Sequence, residues 1–139
     1  MTSKKVFIAS DMFVAFIDRA HPKHIHAVAF FRYFATERFE LYSNIPIVIA
    51  SYQKIYQDIS PSIARDFLRS LSLGNINIIY PDESEFKNAL KALITYQSTE
   101  LTFDEALMAV EADKRRIPAI CTFAYLHPLF GLSTFFLPI

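Results

Sequence analysis

The sequence predicts an α/β fold, three layers deep (α/β/α), around a central and mainly parallel sheet. Short apolar runs bounded by polar turns recur along the chain, the pattern of strands buried on both faces. Longer segments with apolar residues at helical spacing separate them. Strands alternating with helices in this way imply a parallel sheet covered on both sides. At 139 residues the chain fits one domain, residues 1–139, and no internal repeat, low-complexity tract or linker divides it.

Each element has a local cause. Residues 5–9 form an apolar run that stops at Ser10-Asp11, as a buried strand does. Phe13, Phe16 and Ile17 then mark a helix over 11–19, which His21-Pro22 interrupts because proline biases its predecessor away from helix. A second helix is expected over 23–40, apolar over a wide arc through Ile25, Val28, Phe31, Phe34 and Phe39. A brief strand at 41–43 follows. Ser43 or Asn44 offers a cap and Pro46 suits the first turn of a helix over 46–58. Ser60-Pro61 repeats that signal and opens a helix to residue 72, which Gly74-Asn75 stops. Residues 76–80 read as a strand. Pro81-Asp82-Glu83 starts the next helix, through Phe86, Leu90, Leu93 and Ile94. Thr102 and Glu105 form a capping box, and its helix runs to Arg116 before Ile117-Pro118 ends it. Residues 119–123 are another buried strand, and 135–137 an expected edge strand.

Composition narrows the function classes. Just over half the residues are apolar (53%), which excludes a disordered chain. Fourteen acids balance fourteen bases, so no global positive field draws in nucleic acid. Cys121 is the single cysteine and cannot form an intrachain disulfide, which points to a reducing compartment. Residues 1–5 lead straight into a strand with no hydrophobic signal region, and the longest apolar runs fall far short of the roughly 20 residues that span a bilayer. A cytoplasmic, membrane-free protein is expected. The only glycines are Gly74 and Gly131, so no glycine-rich loop is available to cradle phosphates.

With these turns in this order, the chain resembles the PIN domain, the small ribonuclease fold of bacterial toxins and some RNA-processing factors. The resemblance spans nearly the whole sequence. The family's first strand typically ends in Asp, and the segment from Val6 to Asp18 matches it except that Ala9 holds the acid's place. Residues 21–27 are similar to the family's His-containing start of the second helix. Residues 43–52 resemble the helix that carries a catalytic Glu, and Ser51 stands where that Glu would be. Leu101 to Leu107 is similar to the turn bearing the third acid, which Asp104 retains, and Thr122-Phe123-Ala124 resembles a strand end usually written Thr-Phe-Asp.

Phosphodiester cleavage on such a fold uses one or two divalent cations to acidify water and neutralise developing charge. The resemblance therefore implies a degenerate site: Ala9, Ser51 and Ala124 remove three anions, leaving Asp11 and Asp104. No cofactor is expected; Mg²⁺ or Mn²⁺ on Asp11 and Asp104 belongs to the alternative of a slow toxin-type ribonuclease. Each residue also has a structural reading. Asp104, in a first helical turn, stabilises the helix dipole by about 0.3–1 kcal/mol, Asp11 suits a helix cap, and Glu105 is explained by the capping box. His24 and His26 point to different helix faces, unlike a zinc pair. Lys114-Arg115-Arg116 either grips phosphate or serves as a cationic helix end, and Cys121 reads as packing rather than as a nucleophile.

The aromatic residues of the second helix and the cluster Phe130, Phe135, Phe136, Leu137 and Ile139 fit either a large core or a surface for a partner. Expected function is thus a PIN-like domain without metal-dependent ribonuclease activity, working through protein or weak RNA contacts. Its expected partners are a second copy in a homodimer, or an antitoxin-like peptide. A receiver-like signalling domain is a poorer fit, because no acidic pair follows the first strand.

Overall fold

The computed structural model describes residues 4–95, 102–123 and 133–134. In chain order the elements are β1 (Lys5–Ile8), α1 (Ser10–Ile17), α2 (His24–Thr36), β2 (Glu40–Asn44), α3 (Ile45–Asp58), α4 (Pro61–Leu73), β3 (Ile76–Ile79), α5 (Glu83–Thr95), α6 (Phe103–Lys114), β4 (Ala119–Cys121) and β5 (Ser133–Thr134). The strands form one sheet in the order β3-β2-β1-β4-β5, and every pairing is parallel. α1 packs on α2 and α3, α3 packs on α4, and α5 packs on α6; the right-handed rule for parallel connections, applied to this strand order, assigns the two groups to opposite faces of the sheet. The expected α/β architecture is the one found.

β1 lies at the centre. Phe7 pairs with Tyr42 of β2 on one side and Ile120 of β4 on the other, and Val6, Phe7 and Ile8 are all fully buried. This explains a run without polar alternation: a strand with helices on both faces has no wet side. Phe13 on α1, Phe31 and Phe34 on α2 and Phe67 on α4 join them in one core cluster, with Phe13–Phe31 and Phe13–Phe67 ring centroids 6.2 and 5.5 Å apart. Of the α2 aromatics, Phe34 is buried and Phe30, Phe31 and Tyr33 are half-buried against the core, while the cluster expected at 130–139 lies outside the described residues, as does the edge strand expected at 135–137.

Helix α2 stops at Thr36, four residues before the expected end. Arg38 adopts φ 57°, Arg38 N–H donates to Ala35 O (3.3 Å), and Phe39 N–H donates to Phe34 O (2.9 Å). These bonds satisfy the last carbonyls in a Schellman turn, and the Phe34–Phe39 ring contact at 5.2 Å is its hydrophobic partner. The turn sends the chain directly into β2, which begins at Glu40. The same device ends α6. Arg116 has φ 56°, with Arg116 N–H on Asp113 O and Ile117 N–H on Ala112 O. Periodicity alone carried the helical pattern past both turns because arginine, unlike glycine, gives no stop signal.

Two caps hold as expected, with Ser60 Oγ accepting from Ile63 N–H and Thr102 Oγ1 from Glu105 N–H. For α3, Asn44 rather than Ser43 is the cap; its Oδ1 accepts from Ile47 N–H at 2.9 Å. Left-handed backbone costs a side-chain-bearing residue about 1–2 kcal/mol, partly offset by the extra entropy of glycine in the unfolded chain. Arg38→Gly and Arg116→Gly are therefore each expected to raise stability by roughly 0.5–1 kcal/mol, read as an increased urea midpoint with unchanged slope.

Candidate active site

The strand order reverses between β1 and β4: from β1 the chain steps outward to β2 and β3, then returns to the far side of β1 as β4. In open parallel sheets the crevice beyond the carboxyl ends of the strands at such a reversal is where ligands sit. Here that crevice is bordered by Ala9 and Asp11 after β1 and by Thr122 and Phe123 after β4. Ala9 is nearly buried and its N–H donates to Cys121 O at 3.2 Å. It also occupies the N-cap of α1, where it provides no side-chain bond.

Asp11 is accordingly not the helix cap that the sequence favoured. It sits inside the first turn of α1 and reaches across to the end of β4, where its Oδ2 accepts from Thr122 Oγ1 (2.7 Å) and Phe123 N–H (2.8 Å). Its Oδ1 is buried without a hydrogen-bond partner. One carboxylate thus bridges the two strand ends that flank the crevice. Nearby, Lys23 Nζ lies 5.7 Å from the centre of the Phe123 ring, bringing the start of α2 to the same border.

The end of β2 contributes a second group of polar side chains. Ser43 Oγ donates to Ile8 O at 3.0 Å, tying β2 to β1 immediately before Ala9. Asn44 caps α3 through Oδ1 and donates from Nδ2 to Glu111 Oε1 at 2.6 Å. Ser51, one residue short of two turns into α3, is fully buried, and its hydroxyl donates back to Ile47 O at 2.7 Å.

Asp104 and Glu105 begin α6. Asp104 is exposed, whereas Glu105 is half-buried and accepts from Thr102 Oγ1 at 3.2 Å. Asp104 precedes Glu111 by seven residues, about 10 Å along the helix, so it stands roughly two turns from the contact with Asn44. Ala124 lies outside the described residues. The structure therefore gathers Ala9, Asp11, Asn44, Thr122 and Phe123 along the carboxyl rim and presents Asp104 to solvent further along α6.

Two buried carboxyl groups escaped sequence reasoning. Glu111 is fully buried in the middle of the apolar run Ala106 to Ala112, and burial pushes its carboxyl up to about 7 despite the Asn44 bond. Glu85 is 2% exposed and meets Arg115 through Nη1–Oε2 (2.7 Å) and Nη2–Oε1 (3.4 Å). Beside it, Lys114 reaches Asp82 Oδ2 at 2.8 Å, and that bond holds the Asp82 carboxyl below the usual range. Asp82 and Glu85 also close a reciprocal capping box on α5. The available signals were an acid inside an unbroken apolar run and an Asp-x-x-Glu spacing. The basic run at the end of α6 accordingly anchors α5, through Lys114 and Arg115. Burial raises the Cys121 thiol well above its ordinary range, consistent with packing.

A divalent cation fits this donor set poorly. Mg²⁺ needs about one or two carboxylates together with substrate phosphates. The Ser51 hydroxyl is neutral and already bonded within its helix, and Asp11 offers one unengaged oxygen. Among the described residues, no three His, Cys, Asp or Glu side chains come close enough to hold a metal ion.

The architecture is PIN-like. VapC20 of Mycobacterium tuberculosis, a sarcin–ricin loop cleaving toxin, has a similar fold, with a TM-score of 0.73, 12% sequence identity, 86% of this chain covered and 89% of that one. No protein-family model and no curated protein matches the sequence. At that identity the likeness concerns the fold. Among the described residues, no helix is long and apolar enough to cross a membrane.

Removing the Asp11 carboxylate deletes its two part-buried hydrogen bonds, from Thr122 Oγ1 and the Phe123 N–H, and a hydrogen bond to a charged group contributes about 1.5–3 kcal/mol. Asp11→Ala is expected to lower unfolding free energy by about 2 kcal/mol. Denaturant titration checks this, and the loss should be the same with and without Mn²⁺.

Proposed function

We propose that this PIN-like domain lacks metal-dependent ribonuclease activity and works through contacts with protein or, weakly, RNA. This reading is supported by the rim, where alanine follows β1 and one oxygen of Asp11 is committed to Thr122 and Phe123, and by Ser51, whose Oγ is spent on Ile47 O within α3. Ala9 supplies no oxygen, the Ser51 hydroxyl is neutral, and Asp11 retains a single unengaged oxygen, where a nuclease needs several anionic ones. The alternative reading is a slow Mg²⁺- or Mn²⁺-dependent toxin-type ribonuclease using Asp11 and Asp104. The toxin fold it resembles gives that alternative a natural probe, an RNA carrying the sarcin–ricin loop.

Support for a protein partner comes from α5. Phe86, Leu90 and Ile94 recur at four-residue spacing and are 46%, 38% and 75% exposed, and the Phe86 ring lies tilted against Phe103 of α6 with centroids 5.3 Å apart. An exposed apolar stripe of this kind is usual where a second chain packs. A second copy in a homodimer is one occupant of this reading, and an antitoxin-like peptide the other.

Incubation with millimolar Mn²⁺ is expected to leave the melting temperature unchanged and the sarcin–ricin RNA intact. Cleavage that disappears in Asp104→Asn would instead establish the ribonuclease. Light scattering over a dilution series is expected to report a dimer that Ile94→Lys dissociates; a strict monomer at high concentration removes the homodimer.

A further inference from the structure

We propose that Glu111 is a proton-operated latch: its neutral form lets α6 stay closed, without water, over the junction of β2 and α3, and loss of its proton opens that packing. The geometry consists of a fully buried carboxyl whose Oε1 is held by Asn44 Nδ2 at 2.6 Å and whose Oε2 has no hydrogen-bond partner. An ionised carboxylate can accept about four hydrogen bonds, and this one receives a single neutral donor. The charged groups around it do not repair that deficit. Glu85, from α5, repels a negative charge at Glu111. Arg115, just beyond α6, attracts it, but its guanidinium is committed to Glu85 and to the Glu111 main-chain oxygen at 3.1 Å. From β2 and α3 the facing group is the uncharged Asn44 carboxamide.

Asn44 makes the latch consequential. The same side chain caps α3 through its Oδ1 bond to Ile47 N–H, and it follows Ser43, which ties β2 to Ile8 beside the rim. An ionised Glu111 still accepts from Asn44 but needs water or further donors at Oε2, and the route to either is an opening of the α6 packing around it. The cap of α3 and the adjoining rim then respond to pH in the neutral range.

The direction of the pH effect follows from linkage. The folded-state value of about 7 lies above the ordinary 4.5, so the folded state binds the proton more tightly than the unfolded one. Stability from this group is complete below the ordinary value and declines as pH rises towards 7 and slightly beyond. Between about pH 5 and pH 8 its contribution to the folding equilibrium constant falls on the order of a hundredfold.

Glu111→Gln keeps an acceptor for Asn44 Nδ2 and cannot ionise. Urea midpoints of the wild type are expected to fall across this range, with a much flatter profile for Glu111→Gln. Parallel profiles overturn the proposal. Carbon-13 titration of the Glu111 side-chain carboxyl in the wild type tests it without a variant. A midpoint near neutrality supports the latch, and a midpoint in the ordinary carboxylate range sinks it. Hydrogen exchange at Ile47 reports the junction itself: in the wild type it should accelerate with pH beyond the intrinsic base-catalysed increase, and in Glu111→Gln it should not.

Discussion

Complete burial of β1 between two parallel neighbours is the constraint on which the molecule is built. Val6, Phe7 and Ile8 have no access to water on either face, so helices must cover both sides of the sheet and every strand end must face one of two rims. The reversal of strand order beside β1 then concentrates chain ends at the carboxyl rim. Backbone amides and carbonyls converging there need partners, and this protein satisfies them from its own side chains: Asp11 for the end of β4, Ser43 for the end of β1, and Asn44 for the start of α3.

That internal satisfaction has a chemical consequence. A cation-dependent site keeps carboxylates close together and accepts their mutual repulsion, which the metal relieves. Alanine at position 9 and a Ser51 hydroxyl bonded inside its own helix bring no such repulsion, and the side chains of the rim serve as a structural junction. Fully buried carboxyl groups lie on α5 and α6. Glu85 has a bidentate arginine, whereas Glu111 has one neutral donor. The contrast accounts for the different behaviour proposed for two acids that are both buried.

Fold and site were legible to different depths. Strand runs and helix periods announced the architecture because each depends on residues close in sequence, and the caps at Ser60 and Thr102 were visible for the same reason. The ends of α2 and α6 were not, because arginines occupy their left-handed turns and the bonds that stop the helices come from backbone atoms. The alanine at position 9 and the serine at position 51 were plain to see. The task given to Asp11 was not, since its partners lie more than a hundred residues away in Thr122 and Phe123.

The sequence by itself determined the alternation of strands and helices, the burial of β1 and the neutral character of positions 9 and 51. These follow from side-chain polarity and spacing, which the chain carries locally. Tertiary structure decided which side chains meet: the Asp11 bridge to β4, the Glu85–Arg115 pair and the Asn44–Glu111 contact between residues 67 apart. Such contacts depend on the sheet order and on helix placement, and an acid's environment, and hence its protonation, exists only once those are set.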